Sequence, residues 1–367
     1  MHYTVDTRVF RAALEKIRCI NPEAVQVRGK NNRLQLCAMT RSYIQHGYRL
    51  YLDISMPSVG DFFEVGQSCI IGSRSFLRPG DIERRATGTI EIESLPGSSL
   101  NICLIGDTPA RQTWSLKGSD TLNDVYGNES LPVATGEPSL YAEVTPPDCR
   151  LFGFVQRALS KDTSRPEFTG AHVTQEAVTA TDGHRLATAP LTAKPEGGGE
   201  GIMPPELVAF LAAGNTGFLE LYDKYDKMFV LTGEDFTFFA RGIEGKYPNF
   251  GRVIHLHPDA TAVLDTHGTI KTLKMLSRGL RRPTIVLHGH NATCRDTDRE
   301  ASGDQRTARI PVLSGEIRDL AFNPAYMLDA LSNYDGDSFT LSTIDSDSPM
   351  LVTRKDHARS AIMPMEA

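Results

Sequence analysis

No run of apolar residues in this 367-residue chain approaches the roughly 18 that a membrane-crossing helix needs, so a helical membrane protein is not expected. The opening MHYTVDTRVF lacks a basic stretch followed by an apolar core, so no secretory signal is expected and the expected compartment is the cytoplasm. The six cysteines (Cys19, Cys37, Cys69, Cys103, Cys149 and Cys294) never fall at CxxC spacing, which argues against a zinc knuckle or a thioredoxin motif and fits reduced thiols. GxSxG, HExxH, the P-loop and a GxGxxG following a strand are all missing. Lys194–Gly201 (KPEGGGEG) is glycine-rich, but no Lys-Ser/Thr follows it, so it reads as a loop. Positive charge is not in excess either: 39 basic against 45 acidic residues give −6, which excludes a uniformly basic nucleic-acid binder.

What is present is repetition. At about 100–200 residues per domain, 367 residues make two or three domains. Three segments carry the apolar spacing of an amphipathic helix. In Asp6–Cys19 the stripe is Val9, Phe10, Ala13, Leu14 and Ile17, with Arg8, Arg11, Lys16 and Arg18 off it. In Pro147–Lys161 it is Leu151, Phe152, Val155, Ala158 and Leu159, with Arg150, Arg157 and Lys161 outside. In Thr269–Arg282 it is Ile270, Leu273, Leu276 and Leu280, among Lys271, Lys274, Arg278, Arg281 and Arg282. A second helix is expected after each, at Ser73–Arg85, Pro204–Ala213 and Asn323–Ser332, the last with Asn323 as N-cap and Pro324 at the first helical position. Short β-rich runs lie between them: Tyr48–Ile54, Thr89–Ile92, Gly217–Tyr222, Lys227–Thr232, Thr284–Leu287 and Phe339–Ser342. Equivalent helices recur on the order of 120–140 residues apart, close to a domain length. The expected fold is α+β: three domains of one kind at 1–133, 139–256 and 260–367, with linkers near Leu131–Pro138 and His255–Thr261.

Candidate chemistry is sparse. His255-x-His257 and His288-x-His290 place two imidazoles at a spacing zinc can use, but no Cys or carboxylate ligand stands at a recognisable distance, and loop histidines are the commoner meaning. Asp182 and His184, beside Arg185, have the form of a base with its orienting acid. Asp182-Gly183 is equally a turn between the strand-like runs Thr174–Thr181 and Leu186–Ala189, and no third catalytic member lies nearby. No enzyme, metal or cofactor is expected. The basic residues of the three helices are the remaining signal. One such helix is an ordinary solvated face. Three of them in a chain of negative charge suggest a positive inner surface, because the local field decides what is attracted.

Four ordered blocks resemble the bacterial sliding clamp, the beta subunit of DNA polymerase III. Ser164-Arg165-Pro166-Glu167-Phe168-Thr169-Gly170, followed by Thr179-Ala180-Thr181-Asp182-Gly183-His184-Arg185-Leu186-Ala187, is similar to the family's central signature. The others are GKYPNFGRVI at residues 245–254, FNPAYMLDAL at 322–331 and the ending Ile362-Met363-Pro364-Met365. The likeness is strong from about residue 139 onward. The first third departs from the family: Ala38-Met39-Thr40-Arg41-Ser42 replaces an acidic motif. Two further departures are the tract Asp296–Arg309 and Glu366, where the family commonly has a basic residue.

The resemblance implies a head-to-tail homodimeric ring of six domains around duplex DNA. Phosphates would be contacted without base readout by residues such as Arg11, Arg18, Arg78, Arg150, Arg157, Arg165, Lys271 and Arg278. Met275 and Leu276 would occupy the subunit interface. The resemblance also implies a cleft between the second and third domains for peptide tails of the DNA polymerase III alpha subunit, the clamp loader and other partners. Its wall would comprise Phe168, Thr181, Gly183, His184, Arg185, Leu186, Pro248, Arg252, Val253, Tyr326, Met363, Pro364 and Met365. Methionines offer adaptable apolar surface, Phe168, Leu186, Pro248 and Val253 an anchor pocket, and Arg185, Arg252 and His184 polar contacts at the rim. The implied function is a non-enzymatic processivity clamp. The alternatives are a specialised duplicate or decoy clamp and a metal-dependent hydrolase using the His pairs.

Overall fold

The computed structural model describes residues 2–30, 33–41, 48–60, 68–72, 88–95, 99–106, 112–117, 134–223, 227–254, 257–281, 283–296 and 306–365. The expected helix Ser73–Arg85 with Arg78, together with Ser42, His255, Arg282, Glu366 and part of the Asp296–Arg309 tract, lies outside the described residues.

Helix α1 spans Thr7–Ile20 and buries Phe10, Ala13, Leu14, Ile17 and Ile20, the stripe expected from spacing save for Val9. Asp6 caps it by accepting from the Arg8 and Val9 N–H groups, and Asn21 ends it in the left-handed region. Helix α2 (Pro146–Val155) starts at a capping box in which Asp148, fully buried, accepts from the Thr145 and Thr192 N–H groups. The sequence pattern ran on to Lys161, but regular helix stops at Val155 and a 3₁₀ turn covers Gln156–Ala158. Beyond it the Ser160 N–H donates to the Phe168 carbonyl, which draws the chain away from the helix axis.

Four further helices are α3 (Pro166–Thr169), α4 (Pro205–Ala212), α5 (Gly251–Ile254) and α6 (Thr266–Ser277). Helix α6 begins three residues earlier than its apolar pattern because Asp265 caps the Gly268 N–H, and it ends at Ser277 because Arg278 is extended. Helix α7 (Pro324–Ala330) has the expected Asn323 cap, accepting from the Ala325 N–H at 2.9 Å.

The chain divides into two compact units. The first comprises residues 1–143 and 215–242. Among its described residues are a five-stranded and an eight-stranded antiparallel sheet, and α1 packs on strands His2–Asp6, Tyr48–Pro57 and Gly88–Leu95. The eight-stranded sheet crosses between thirds of the sequence: Phe236–Arg241 pairs with Tyr48–Pro57, from Phe236 opposite Ile54 to Ala240 opposite Leu50. The second unit comprises residues 144–214 and 243–367. In it α2 packs on α4, and a nine-stranded sheet again joins neighbouring thirds, with Arg185–Ala189 paired to Arg359–Ile362. A four-stranded sheet lies there too, in the order Arg306–Arg309, Asn291–Asp296, Pro283–His288, Leu320–Phe322. The strand expected over Thr174–Thr181 is Val178–Thr181 alone, because Thr174 closes a turn onto Ala177.

Candidate functional site

Every residue expected at the cleft falls in the second unit. One lip is the hairpin turn between Val178–Thr181 and Arg185–Ala189. Gly183 there has φ +88 with open space where a Cβ would point, so backbone conformation alone favours glycine. The Asp182 carboxylate accepts from the His184 and Arg185 N–H groups at 3.0 Å each and from Arg185 Nε at 3.1 Å, so it belongs to its own turn. The buried Thr181 hydroxyl donates to the Arg185 carbonyl at 2.7 Å and accepts from the Gly183 N–H at 3.1 Å. His184 and Gly183 are exposed.

Arg185 differs from expectation. Its side chain is 13% exposed and every guanidinium nitrogen is engaged: Nε by Asp182, Nη1 by Asp329 and Nη2 by the Arg157 carbonyl. The guanidinium also lies over the Tyr326 ring, 4.5 Å from its centroid. Rather than a rim group with idle donors, Arg185 is a clasp between the hairpin, the turn after α2, and α7. Burial, helped by the nearby Asp182 and Asp329 carboxylates and opposed by Arg185, raises the Tyr326 phenol above its ordinary pKa. Beside the clasp is a shallow, solvent-open niche whose walls include Phe154, Arg157, Asp329 and Ser360.

Of the residues expected in an apolar wall, Leu186 and Val253 pack in one cluster, and Phe168 reaches it through further aromatic side chains. Leu186 packs with Ile254, Leu351 and Ala361, and Phe250 and Val253 lie against that cluster. Phe250 meets Tyr247 edge-on at 6.1 Å, Tyr247 stacks flat on His172 at 4.8 Å, and Phe168 meets Tyr247 edge-on at 6.3 Å. Burial pushes the Tyr247 phenol pKa up. Pro248 is half-buried beside Tyr247 in sequence; Arg252 lies in α5, with its side chain outside the described set. The sequence reading missed His172, Tyr247, Phe250 and Asp329. Three of them stand inside quoted blocks, whereas His172 shows only as an alternating strand position.

The terminal segment is tied to the hairpin turn. The Met363 N–H donates to the His184 carbonyl at 2.9 Å, and the Met365 N–H donates to the Ala321 carbonyl at 2.8 Å. The segment therefore runs from the lip to the strand Leu320–Phe322, with Met363 and Met365 left 40% and 37% exposed and Pro364 half-buried.

Of the basic residues, Arg18, Arg150, Arg157, Arg165, Lys271 and Arg278 are exposed, and Arg11 is half-buried. Lys16 is drawn into an ion pair with Asp235 at 2.6 Å. Arg165 lies over the Phe168 ring at 5.6 Å, which places it against the apolar wall. Met275 is 55% exposed, but Leu276 is 1% exposed and belongs to its own chain's core, which corrects the pairing of the two as surface residues. His288 ends its strand and pairs with Asp319 at 2.9 Å, while His290 stands in the following turn, so the two do not share a strand face. Among the described residues, no three His, Cys, Asp or Glu side chains gather as a metal site, and no helix is long and apolar enough to cross a membrane.

Antiparallel sheets running from one repeat into the next define a sliding-clamp fold, and solved structures bear this out. The chain aligns over 100% of its length with the DNA polymerase III beta subunit of Borrelia burgdorferi in complex with a natural product (TM-score 0.81, 14% identity, 99% of that chain). It aligns equally with the Helicobacter pylori beta clamp bound to a DNA ligase peptide (TM-score 0.74, 17% identity, 100% of that chain). In sequence it is 25% identical over 219 residues to the beta sliding clamp of Streptococcus pneumoniae, covering 54% of this chain and 56% of the relative. It is 27% identical over 234 residues to the beta sliding clamp homolog GriR of Streptomyces muensis (56% and 61%), and 25% identical over 313 residues to the Pseudomonas putida beta sliding clamp (78% and 82%). The first of these matches spans little more than half the relative's length. No protein-family model matches the chain. The chain thus shares the fold of solved bacterial beta clamps and is similar in sequence, at 25–27% identity, to curated beta sliding clamps.

Proposed function

We propose that this chain is a DNA sliding clamp: a non-catalytic cytoplasmic scaffold whose three repeats, 1–133, 139–256 and 260–367, pair head to tail in a homodimeric ring around duplex DNA. Through the cleft between the second and third repeats it tethers a replicative polymerase and other partners. One observation carries the reading: the segment Met363–Met365, hydrogen-bonded at both ends, leaves two methionines exposed in line with the lip formed by His184. A peptide laid there meets polar backbone at one end and the Phe168, Phe250 and Val253 side chains at the other; this is compatible with the motif that the clamp resemblance implies, a glutamine near its start and a leucine or phenylalanine near its end. A peptide-bound Helicobacter pylori relative of the same fold supports it.

The test is calorimetric titration of such a peptide against the wild type, a chain ending at Ile362, and Phe168→Ala. Phe168 is chosen over Leu186, because Leu186 is 5% exposed and its loss would strike the core. Burying one leucine or phenylalanine is worth about 1.5–3 kcal/mol, so each variant is expected to bind on the order of tenfold to a hundredfold more weakly. Unchanged affinity in both would overturn the cleft assignment. The relative named a sliding clamp homolog favours a second reading, a specialised duplicate clamp; replacement of the host's main clamp gene by this one separates the two, since a duplicate need not support growth alone.

A further inference from the structure

Asp329 stands between two arginines, Arg157 and Arg185, that the clamp resemblance assigns to different ligands, duplex and peptide. Its Oδ2 takes Arg185 Nη1, and Arg185 in turn holds the Asp182 turn that forms the peptide lip. Its Oδ1 lies 3.9 Å from Nη1 of Arg157, whose side chain is 57% exposed and which belongs to the duplex-facing set. Arg157 meets the same network a second time, since its backbone carbonyl accepts from Arg185 Nη2. The three side chains line one niche. One carboxylate, 29% exposed, thus serves as counter-ion to both a lip residue and a duplex-facing residue.

We propose that Asp329 couples duplex occupancy to peptide affinity at the cleft. The inference rests on the reading of these surfaces as a duplex face and a peptide cleft. A phosphate that engages Arg157 draws its guanidinium from Asp329 and leaves Arg185 as the only one of these two cations on that carboxylate. The clasp tightens, because the carboxylate's field is no longer shared. A peptide carbonyl or carboxylate reaches Arg185 only by replacing one of its present acceptors, so the tighter clasp opposes the peptide. Coupling of this kind is reciprocal: bound peptide weakens the hold on duplex by the same factor. The shared pair is partly exposed, so the factor is small, about two- to fivefold.

The experiment titrates a fluorescein-labelled glutamine-to-leucine motif peptide into the full chain at low salt, without and with a saturating short duplex. The wild type should bind the peptide two- to fivefold more weakly when duplex is present. Asp329→Asn should bind it equally in both conditions, and Asp329→Glu should restore part of the difference. Arg157→Gln, which keeps the backbone carbonyl, should also abolish the difference at saturating duplex, and it guards against a folding defect at Asp329. Peptide affinity in the wild type that is indifferent to bound duplex, or that responds equally in Asp329→Asn, overturns the coupling while leaving the clamp reading intact. Failure to bind either ligand overturns the clamp reading and the coupling with it.

Discussion

Arg354 shows how much of the second unit rests on single side chains. It is 1% exposed, with its guanidinium between the rings of Phe154, 4.8 Å away, and Tyr334, 4.6 Å away. Nη1 donates to the Ser332 carbonyl at 3.0 Å, and Nε donates to Asp356 at 3.1 Å. A charge so placed is favourable only while all its partners remain. Arg354→Ala removes the plug between two rings, takes the guanidinium from the Ser332 carbonyl and leaves Asp356 with only the Ala358 N–H. The expected cost is about 2–4 kcal/mol, moderated because Asp356 is partly exposed. Urea unfolding should show the loss, and Arg354→Lys should recover little of it, since an ammonium neither stacks between rings nor forks onto a carboxylate. A midpoint unmoved in Arg354→Ala would mean that the stack carries no weight. Sequence reading had no access to this residue: an arginine near the end of a strand looks like any solvated charge, and only the approach of Phe154 from two hundred residues earlier gives it a role.

At the scale of elements, legibility followed periodicity. Five of the six expected helices lie among the described residues, and all five are present, because an apolar stripe at helical spacing is decided locally, with an Asp or Asn cap at three of them. Their ends moved where non-local bonds intervened, as with Ser160 reaching Phe168. Strand partners were not legible, since which edge of one repeat meets the next depends on contacts distant in sequence. The quoted blocks held most of the residues that the proposed cleft draws on, but the engagement of Arg185 was not legible because the acceptor Asp329 is 144 residues away. Gly170 illustrates an element-level demand that composition hides. It precedes the strand Ala171–Val173, and a Cβ there would lie 2.5 Å from the Met203 carbonyl oxygen and 2.7 Å from both Ile202 and Ile243 side-chain carbons. Backbone cannot yield as a flexible side chain can, so Gly170→Ala is expected to cost about 1–3 kcal/mol by overpacking. The proton exchange of amides in strands Ala171–Val173 and Gly201–Met203 should accelerate in the variant. Unaltered exchange there would show that the two strands can separate without loss.

For the whole molecule, the proposed ring requires two different surfaces, because a head-to-tail contact joins unlike patches and closes only if both are present. The nine-stranded sheet ends on Val312–Gly315, where Leu313 is 60% exposed, and the five-stranded sheet ends on Gln112–Lys117. An edge strand carrying an exposed leucine is a hazard in a monomer and a natural contact in an oligomer. Met275 is a second large apolar side chain left 55% exposed in the same unit. The wild type is therefore expected to sediment at twice the 40.3 kDa of one chain at micromolar concentration. Leu313→Asp and Met275→Asp, which touch exposed positions, should sediment as folded monomers in combination, since charge placed in a contact that must be dehydrated opposes association. Leu276 is left intact because its 1% exposure would turn the same test into a measurement of unfolding. Retained helical and strand signal in circular dichroism separates lost association from lost fold. A wild type that sediments as one chain, or a double variant as dimeric as the wild type, would place the subunit contact elsewhere and remove the support these exposed side chains lend to the ring.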